Sequence, residues 1–340
     1  MSSPFDAVLF IAFGGPQGHA DIRPFLQNVL RARRIPPERI EAVAHHYELF
    51  DGVSPITGIT ERQARGLAAR LQARGLALPV HVGMRNWRPL IEDTLRTMAG
   101  QGVRRIIGLI AAAQRSYSSC EQYKQNVWQA QEALRADGVA PPEIVYAGDW
   151  HRQHGFLDAV AARITDARAT LPAEVRERAR VVFTAHSIPV TMTAAATYQR
   201  QLMESAQGVA ARLGLAEWAL TYQSRSGRPE DPWLEPDVND YLRAERQRGL
   251  EAVVLSPIGF VADHIEVLYD LDTEARATCD TEGIAFARAS AVNDHPGFLD
   301  ALAEVVALKV QHYRKGRPLP LVPAEAPARR EPPPPVRPGA

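Results

Sequence analysis

The sequence predicts an α/β protein of two similar halves, each a largely parallel four-stranded sheet with helices on both faces, and a cleft between the halves. Three observations carry this. Short apolar runs alternate with amphipathic, helical-period stretches along most of the chain. The runs are predominantly apolar, as strands covered on both faces are. And VLFIAFGGP, Val8 to Pro16, lays over VVFTAHSIP, Val181 to Pro189, both being a strand ending in a turn that closes on proline.

Taken in order, the strand candidates are AVLFIA, VHVGM, VRRIIGLIAAA and EIVYAG, then ARVVFTA, WALTYQS, EAVVLSPIG and GIAFARA. The first four fall in a Rossmann-like N-terminal domain over 1–168 and the other four in a second over 169–313. The connection between halves is read in ATLPAEVRERAR, Ala169 to Arg180, and the last compact element in the amphipathic run from Pro296 to Tyr313. From 314 to 340 the chain is rich in proline, alanine and arginine. Such a segment buries too little apolar surface to order itself, so a disordered tail without a catalytic role is expected.

A chain of 340 residues with 46% apolar content can build two ordinary domains. Its 39 basic residues balance 39 acidic ones, so no overall field recruits nucleic acid or an anionic membrane, and a small-molecule partner is expected. The two cysteines, Cys120 and Cys279, lack the paired spacing of a zinc or iron–sulfur motif and fit a reducing compartment. AVLFIA is too short for a signal peptide or membrane span, which leads to an expected cytoplasmic location.

Ligands of parallel sheets bind beyond the carboxyl ends of the strands. Phe13 and His186, equivalent in the overlay, should therefore face one cleft. A lone histidine after an apolar run is more often a hydrogen-bonded structural residue than a catalyst, but the strand-end position shifts that balance. In FVADHIEVLYDLDTE, Glu266, Asp270 and Glu274 recur every fourth residue, sharing one face of a helix that begins near Asp263, with Asp272 nearby. Like charges at this spacing repel by roughly 0.2–0.5 kcal/mol per pair, which a metal cation would offset. The competing reading is a capping box, with Asp263 as N-cap and Glu266 at the third helical position. It accounts for neither His264 nor the later carboxylates. Imidazole with carboxylates suits divalent iron or another first-row metal, and either group can accept a proton.

Two loops carry weaker signals. HYELFDGVSPITGIT, His46 to Thr60, reads as an ordinary surface loop before the helix ERQARGLAARLQARG, or as a wall in which Tyr47, Leu49 and Phe50 meet a large flat apolar ligand. QRSYSSCEQY, Gln114 to Tyr123, offers hydroxyls at a strand-to-helix transition, where serine is also a routine N-cap.

Together, LFIAFGGP, HYELFDGVSPI, VGMRNWRPLIEDTL, SYSSCEQY, FTAHSIP, TYQSRSGRPEDPWLEPD and SPIGFVADHIEVLYDLDTE resemble, in order, the ferrochelatases, which insert ferrous iron into a porphyrin in haem synthesis. The resemblance covers most of the first 313 residues. It implies a chelatase-like fold and a lyase-class enzyme, with His186 and Glu266 as the catalytic and metal-insertion pair. Asp270 and Glu274 become the acidic line of metal approach, and Ser54, Tyr123, Tyr47 and Phe13 the porphyrin contacts. Porphyrin and ferrous iron are then the partners, Fe2+ being a substrate, with no tightly bound cofactor. A monomer is expected, open to transient partners of the haem pathway.

This chain also departs from the family pattern. Phe13 stands where some bacterial members carry a tyrosine that ligates product iron, and Ala113 and Gln114 where many have proline and histidine. Two cysteines cannot supply the four ligands of the iron–sulfur cluster that some relatives bind, so none is expected. AFGGP lacks the full glycine fingerprint of a dinucleotide site. Coproporphyrin III and protoporphyrin IX both remain open as substrate. The alternatives are a chelatase for another metal and tetrapyrrole, and a non-enzymatic haem or porphyrin carrier. A carrier needs no proton acceptor, so His186 and Glu266 together favour the enzyme.

Overall fold

The eight apolar runs become eight strands in the computed structural model, which describes residues 3–30, 37–226 and 231–316. Strands β1 (Ala7–Ala12), β2 (Val80–Met84), β3 (Arg105–Ile110) and β4 (Glu143–Tyr146) form a parallel sheet of order β2-β1-β3-β4. Strands β5 (Arg180–His186), β6 (Trp218–Gln223), β7 (Ala252–Ser256) and β8 (Ala285–Arg288) repeat the plan as β6-β5-β7-β8.

The repeat extends to register. Val8 pairs with Val80 and Ile107, while Val181 pairs with Trp218 and Val254. Arg105 pairs with Glu143, and Ala252 with Ala285. Beyond the second strand of each half the chains still match: Met84 N–H donates to Pro89 O at 2.7 Å and Tyr222 N–H to Pro236 O at 2.9 Å. Phe13 and His186 thus hold equivalent places at the ligand edge of their sheets.

In chain order the helices of the first half are α1 (His19–Leu30), α2 (Pro37–Glu48), α3 (Ile56–Ala73), α4 (Ile91–Gly100), a π-helical turn π1 (Tyr117–Glu121), α5 (Gln122–Ala136) and α6 (His154–Ala169). The second half adds α7 (Ala173–Arg176), α8 (Ala195–Leu213), α9 (Val238–Arg246), α10 (Ile265–Val267), π2 (Leu268–Ala275), α11 (Arg276–Glu282) and α12 (Pro296–Arg314). Alternation along the strands divides the core into layers. Ala7, Leu9 and Ile11 face Leu95 of α4 and Val127 of α5, whereas Val8 and Phe10 turn to a central layer shared with Val181 and Phe183 of the other sheet. On the outer face of the second sheet Val182 and Val253 meet Leu242 of α9 and Leu271 of π2.

The central layer is closed by an exchange of helices. α6 follows the first sheet yet packs on α8, β7 and β8, while α12 follows the second and packs on α3, α6 and β3. Trp150, Phe156 and Phe298 meet there with ring centroids 5.5–6.0 Å apart. A Cβ on Gly66 of α3 would lie 2.4 Å from Leu299 Cδ1 of α12, so glycine lets the leucine side chain pack directly on the α3 backbone at this crossing. The sequence division at 168 and 169 falls within the last turn of α6, and α6 and α12 each pack against the sheet of the other half. Of the expected 314–340 tail, Arg314 ends α12 and residues 317–340 lie outside the described residues.

One helical pair stands apart. Ile22, Phe25 and Leu26 of α1 and Ala44 and Tyr47 of α2 form their own small core, which docks on Ile265 of the second half. This corrects the surface-loop reading of His46 to Thr60: Tyr47 lies on a helix and is only 6% exposed, and α3 already begins at Ile56.

Candidate active site

His186 ends β5 at the edge where a parallel sheet offers its ligand site. Its Nδ1–H donates to the Ser187 carbonyl, so whenever the ring is neutral its lone pair lies on Nε2. That atom faces Glu266 Oε2 at 4.0 Å. The sequence-predicted pair is brought together.

Glu266 lies on α10, and the same Oε2 is 3.6 Å from His264 Nε2. It sits deep in the cleft, yet 43% of the side chain remains accessible, which describes a carboxylate at the floor of an open slot. Burial pushes its carboxyl up. The hydrogen bond from His264 and the charges of His186, His264 and His46 outweigh this and hold it down at about 2. Glu266 is therefore an anion at any working pH.

The capping-box reading is overturned. His264, not Asp263, occupies the N-cap position of α10, and no side chain caps the helix. Asp263 is instead the anchor of the loop: its carboxylate accepts from Arg288 Nη1 at 2.9 Å, the Ala291 N–H at 3.1 Å and Asn293 Nδ2 at 2.7 Å. Arg288 Nε also donates to Asp272 at 2.8 Å. One buried guanidinium thus clamps the chain on both sides of Glu266.

The helix beyond Glu266 also differs from expectation, being π-helical over Leu268–Ala275. An i→i+5 helix turns more slowly than an α-helix, so residues four apart stay close to alignment and the acidic row survives. Burial first, then the charges of Glu266 and Glu274, raise the Asp270 carboxyl to about 7 against hydrogen bonds from Ser224 and Gln223. Ser224 Oγ and Gln223 Nε2 both donate to Asp270 Oδ2, the latter at 3.3 Å. Glu274 is raised by burial and by Asp237. Along the row, then, sit a fixed anion, a group poised to exchange a proton near neutrality, and a third carboxyl beyond it.

The opposite wall is apolar. Phe13 packs on Phe25 at 6.2 Å between ring centroids and touches Ile56, Ile59 and Ala262, so it joins the two halves. Tyr47 stacks obliquely on Phe25 at 5.6 Å, its hydroxyl pKa raised by burial and then by Glu266 and Asp270. Ser54 is 2% exposed, tucked behind Gly15, where an added Cβ would come within 2.8 Å of its Oγ. Tyr123 is 5% exposed on α5, within the field of Arg85. Of the sequence-predicted contacts, Phe13 stands at the meeting of the halves, while Tyr47, Ser54 and Tyr123 lie buried behind the wall. Among the described residues no three histidine, cysteine, aspartate or glutamate side chains converge as a metal cage. Cys120 and Cys279 are both buried, one in each half. None of the described helices is long and apolar enough to cross a membrane.

Four further residues enter the site. His264 was visible inside the acidic stretch but carried no assigned role. Gln223 ends β6, the strand beside β5, and Ser224 follows it, so sheet order would have exposed them. His46 stacks on Tyr269 with centroids 3.6 Å apart and planes at 11°, joining α2 to π2 across the cleft. No local pattern points to that contact.

Known proteins resemble this chain over most of its length. A ferrochelatase family model matches residues 5–310. The coproporphyrin III ferrochelatase of Mycolicibacterium smegmatis is 44% identical over 305 residues, covering 89% of each chain. A ferrochelatase of Rhodopirellula baltica is 44% identical over 304 residues, 89% of this chain and 86% of the relative. Among solved structures, SirB of Bacillus subtilis with Fe3+ aligns with a TM-score of 0.55 at 13% identity over 91% of this chain and 97% of that one, a likeness of fold. By a family match over nearly its whole described length, and by relatives this close, the chain belongs to the ferrochelatase family.

Proposed function

We propose that this ferrochelatase-family enzyme inserts Fe2+ into coproporphyrin III with release of two protons, in haem biosynthesis. The observation that carries the residue assignment is Nε2 of His186 facing Glu266 at 4.0 Å, with Nδ1 held by the Ser187 carbonyl. Metallation must strip solvent from the ion and remove two pyrrole protons while the ring nitrogens turn their lone pairs to the metal. A planar ring resists this. Binding energy from its apolar faces and carboxylates can bend it toward the reactive shape, a strain of roughly 1–5 kcal/mol.

His186 Nε2 accepts a pyrrole proton, and ionised Glu266 offers charge to the incoming cation. Asp270, with its carboxyl near 7, passes protons outward at neutral pH, and Glu274 extends the row along which protons or hydrated cations travel. Phe13 and the Tyr47 to Ser54 segment back the opposite face of the ring, with Tyr123 behind them. The choice of coproporphyrin III rests on relatives of that name, including those of Mycolicibacterium smegmatis and Streptomyces coelicolor. We place no resident cofactor in the reaction, because two cysteines cannot make a four-cysteine cluster site. A cytoplasmic monomer with transient haem-pathway partners is proposed on the same unbridged cysteines and balanced charge.

The test is anaerobic mixing of the protein with Fe2+ and either coproporphyrin III or protoporphyrin IX, following the visible bands of the free base. Faster loss of the coproporphyrin bands supports the proposal, and faster loss with protoporphyrin IX moves the substrate. Binding of either ring without metallation returns the protein to a carrier. Parallel runs with Co2+ and Ni2+ check the metal.

A further inference from the structure

Asn86 is 1% exposed, yet neither Oδ1 nor Nδ2 of its carboxamide has a hydrogen-bond partner. Among the described residues it is the only side chain with two such orphaned atoms. The large majority of buried polar groups in folded proteins are paired, so an amide with both of its polar atoms orphaned calls for an explanation. The backbone is fixed on both sides, Asn86 N–H donating to Phe13 O at 3.0 Å and Asn86 O accepting from Asn28 Nδ2 at 3.2 Å.

Its place in the fold supplies the explanation. Asn86 lies two residues past the end of β2, against Phe13, at the ligand edge of the first sheet. Because Met84 and Tyr222 hold the same position in the two halves, Asn86 is the counterpart of Ser224, which donates to Asp270 on the facing wall. The equivalent position thus serves the reacting groups in one half and stands unused in the other.

We propose that Asn86 reads the state of the porphyrin centre, bonding the unmetallated ring and losing its partners once the metal is in. This rests on the porphyrin reading above. A primary amide carries donors and an acceptor side by side. The centre of a free-base porphyrin presents the complement: two N–H donors and two bare nitrogens with lone pairs. In the metallated ring all four nitrogens are bound to the metal, so neither kind of partner remains. Asn86 is neutral and gives up no proton, and neither it nor the phenyl ring of Phe13 competes strongly for the ion. The residue therefore favours substrate over product from the face opposite His186 and Glu266.

The experiment compares the wild type with Asn86→Leu, an apolar side chain of similar length, using quenching of tryptophan emission. The neighbouring Trp87 serves as reporter, and the probes are free-base coproporphyrin III and its zinc complex. The expected result is that Asn86→Leu weakens free-base binding about tenfold, the worth of one to two hydrogen bonds, and leaves the zinc complex within about twofold. The melting temperature of the unliganded variant should be equal or higher, since an orphaned amide has been replaced by an apolar group. Equal weakening of both rings, or no change in either, overturns the inference. If Asn86→Leu does not fold, Asn86→Ser is read in the same way, with about a threefold loss of preference expected and an unchanged preference overturning the inference. Wild-type protein that binds neither ring overturns the porphyrin reading and this inference with it, whereas binding of both rings with a preference indifferent to residue 86 overturns the inference alone.

Discussion

Replacing Asp270 by asparagine should make the folded chain more stable at pH 8, and by much less at pH 5. In the folded state the Asp270 carboxyl is raised from 3.8 to about 7, chiefly by burial and then by the charges of Glu266 and Glu274. Between those values the folded chain holds a proton that the unfolded chain releases, so stability falls as pH rises through the window. Above it the full penalty applies: about three pKa units at 1.36 kcal/mol each, or about 4 kcal/mol. Water in the open cleft screens part of this, which makes about 2 kcal/mol the lower working figure. Asparagine keeps the shape and can still accept the Ser224 and Gln223 hydrogen bonds through its oxygen, but has nothing to ionise. Urea unfolding of both proteins at the two pH values measures the difference. The variant should lead by roughly 2–4 kcal/mol at pH 8 and by about 1–2 kcal/mol at pH 5. A lead that does not change with pH would show that Asp270 ionises as an ordinary carboxylate and is no proton-exchanging group.

His186→Ala should bind porphyrin almost normally but insert iron at least about a hundredfold more slowly, the usual worth of a positioned proton acceptor; near wild-type turnover would remove His186 from the chemistry. Glu266→Gln should lose rate to a similar degree and also lower the melting temperature at neutral pH, because the folded cleft favours the ionised carboxylate, while Asp263 keeps the loop itself anchored. Glu274→Gln should raise the iron concentration needed for half-maximal rate and leave porphyrin affinity alone, which separate titrations of the two substrates will distinguish. Arg288→Met strands the carboxylates of Asp263 and Asp272, so denaturation should show a loss of roughly 3–5 kcal/mol, with turnover falling alongside it.

What could be read from the sequence was what depends on local pattern. The strands were legible because parallel strands covered on both faces are predominantly apolar, and β1 and β5 carry that pattern into turns that end alike at Pro16 and Pro189. That likeness put His186 at a strand end, and the four-residue spacing put Glu266, Asp270 and Glu274 in a row. Long-range contacts were out of reach. Asp263 looked like a helix cap because Arg288, its true partner, is 25 residues further along the chain. Tyr47 looked exposed because the surface that buries it, around Ile265, belongs to the other half. The π-helical course of Leu268–Ala275 was hidden for a subtler reason: residues four apart line up in either helix type, so the spacing that revealed the acidic row could not choose between them.

The duplication explains why one cleft can have two unlike walls. Three pairs of equivalent positions, fixed by strand register and by the bridges Met84 to Leu90 and Tyr222 to Asp237, are Phe13 with His186, Asn86 with Ser224, and Leu90 with Asp237. In each pair the first half holds a group that does not ionise near neutrality, while the second holds an imidazole, a hydroxyl that serves a carboxyl, or a carboxylate. A flat ring between these walls meets shape on one side and proton acceptors on the other. The division has an energetic reason. Carboxylates on both walls would repel across the cleft and oppose its closing on a ring that brings carboxylates of its own, whereas carboxylates kept to one wall can be neutralised by the protons and cations that the proposed reaction moves. Asp270 shows this arrangement in a single group: its carboxyl is lifted to about 7 chiefly by burial and then by the charges of Glu266 and Glu274 on its own wall, and the hydroxyl that steadies it comes from Ser224, the position at which the facing wall carries a neutral amide.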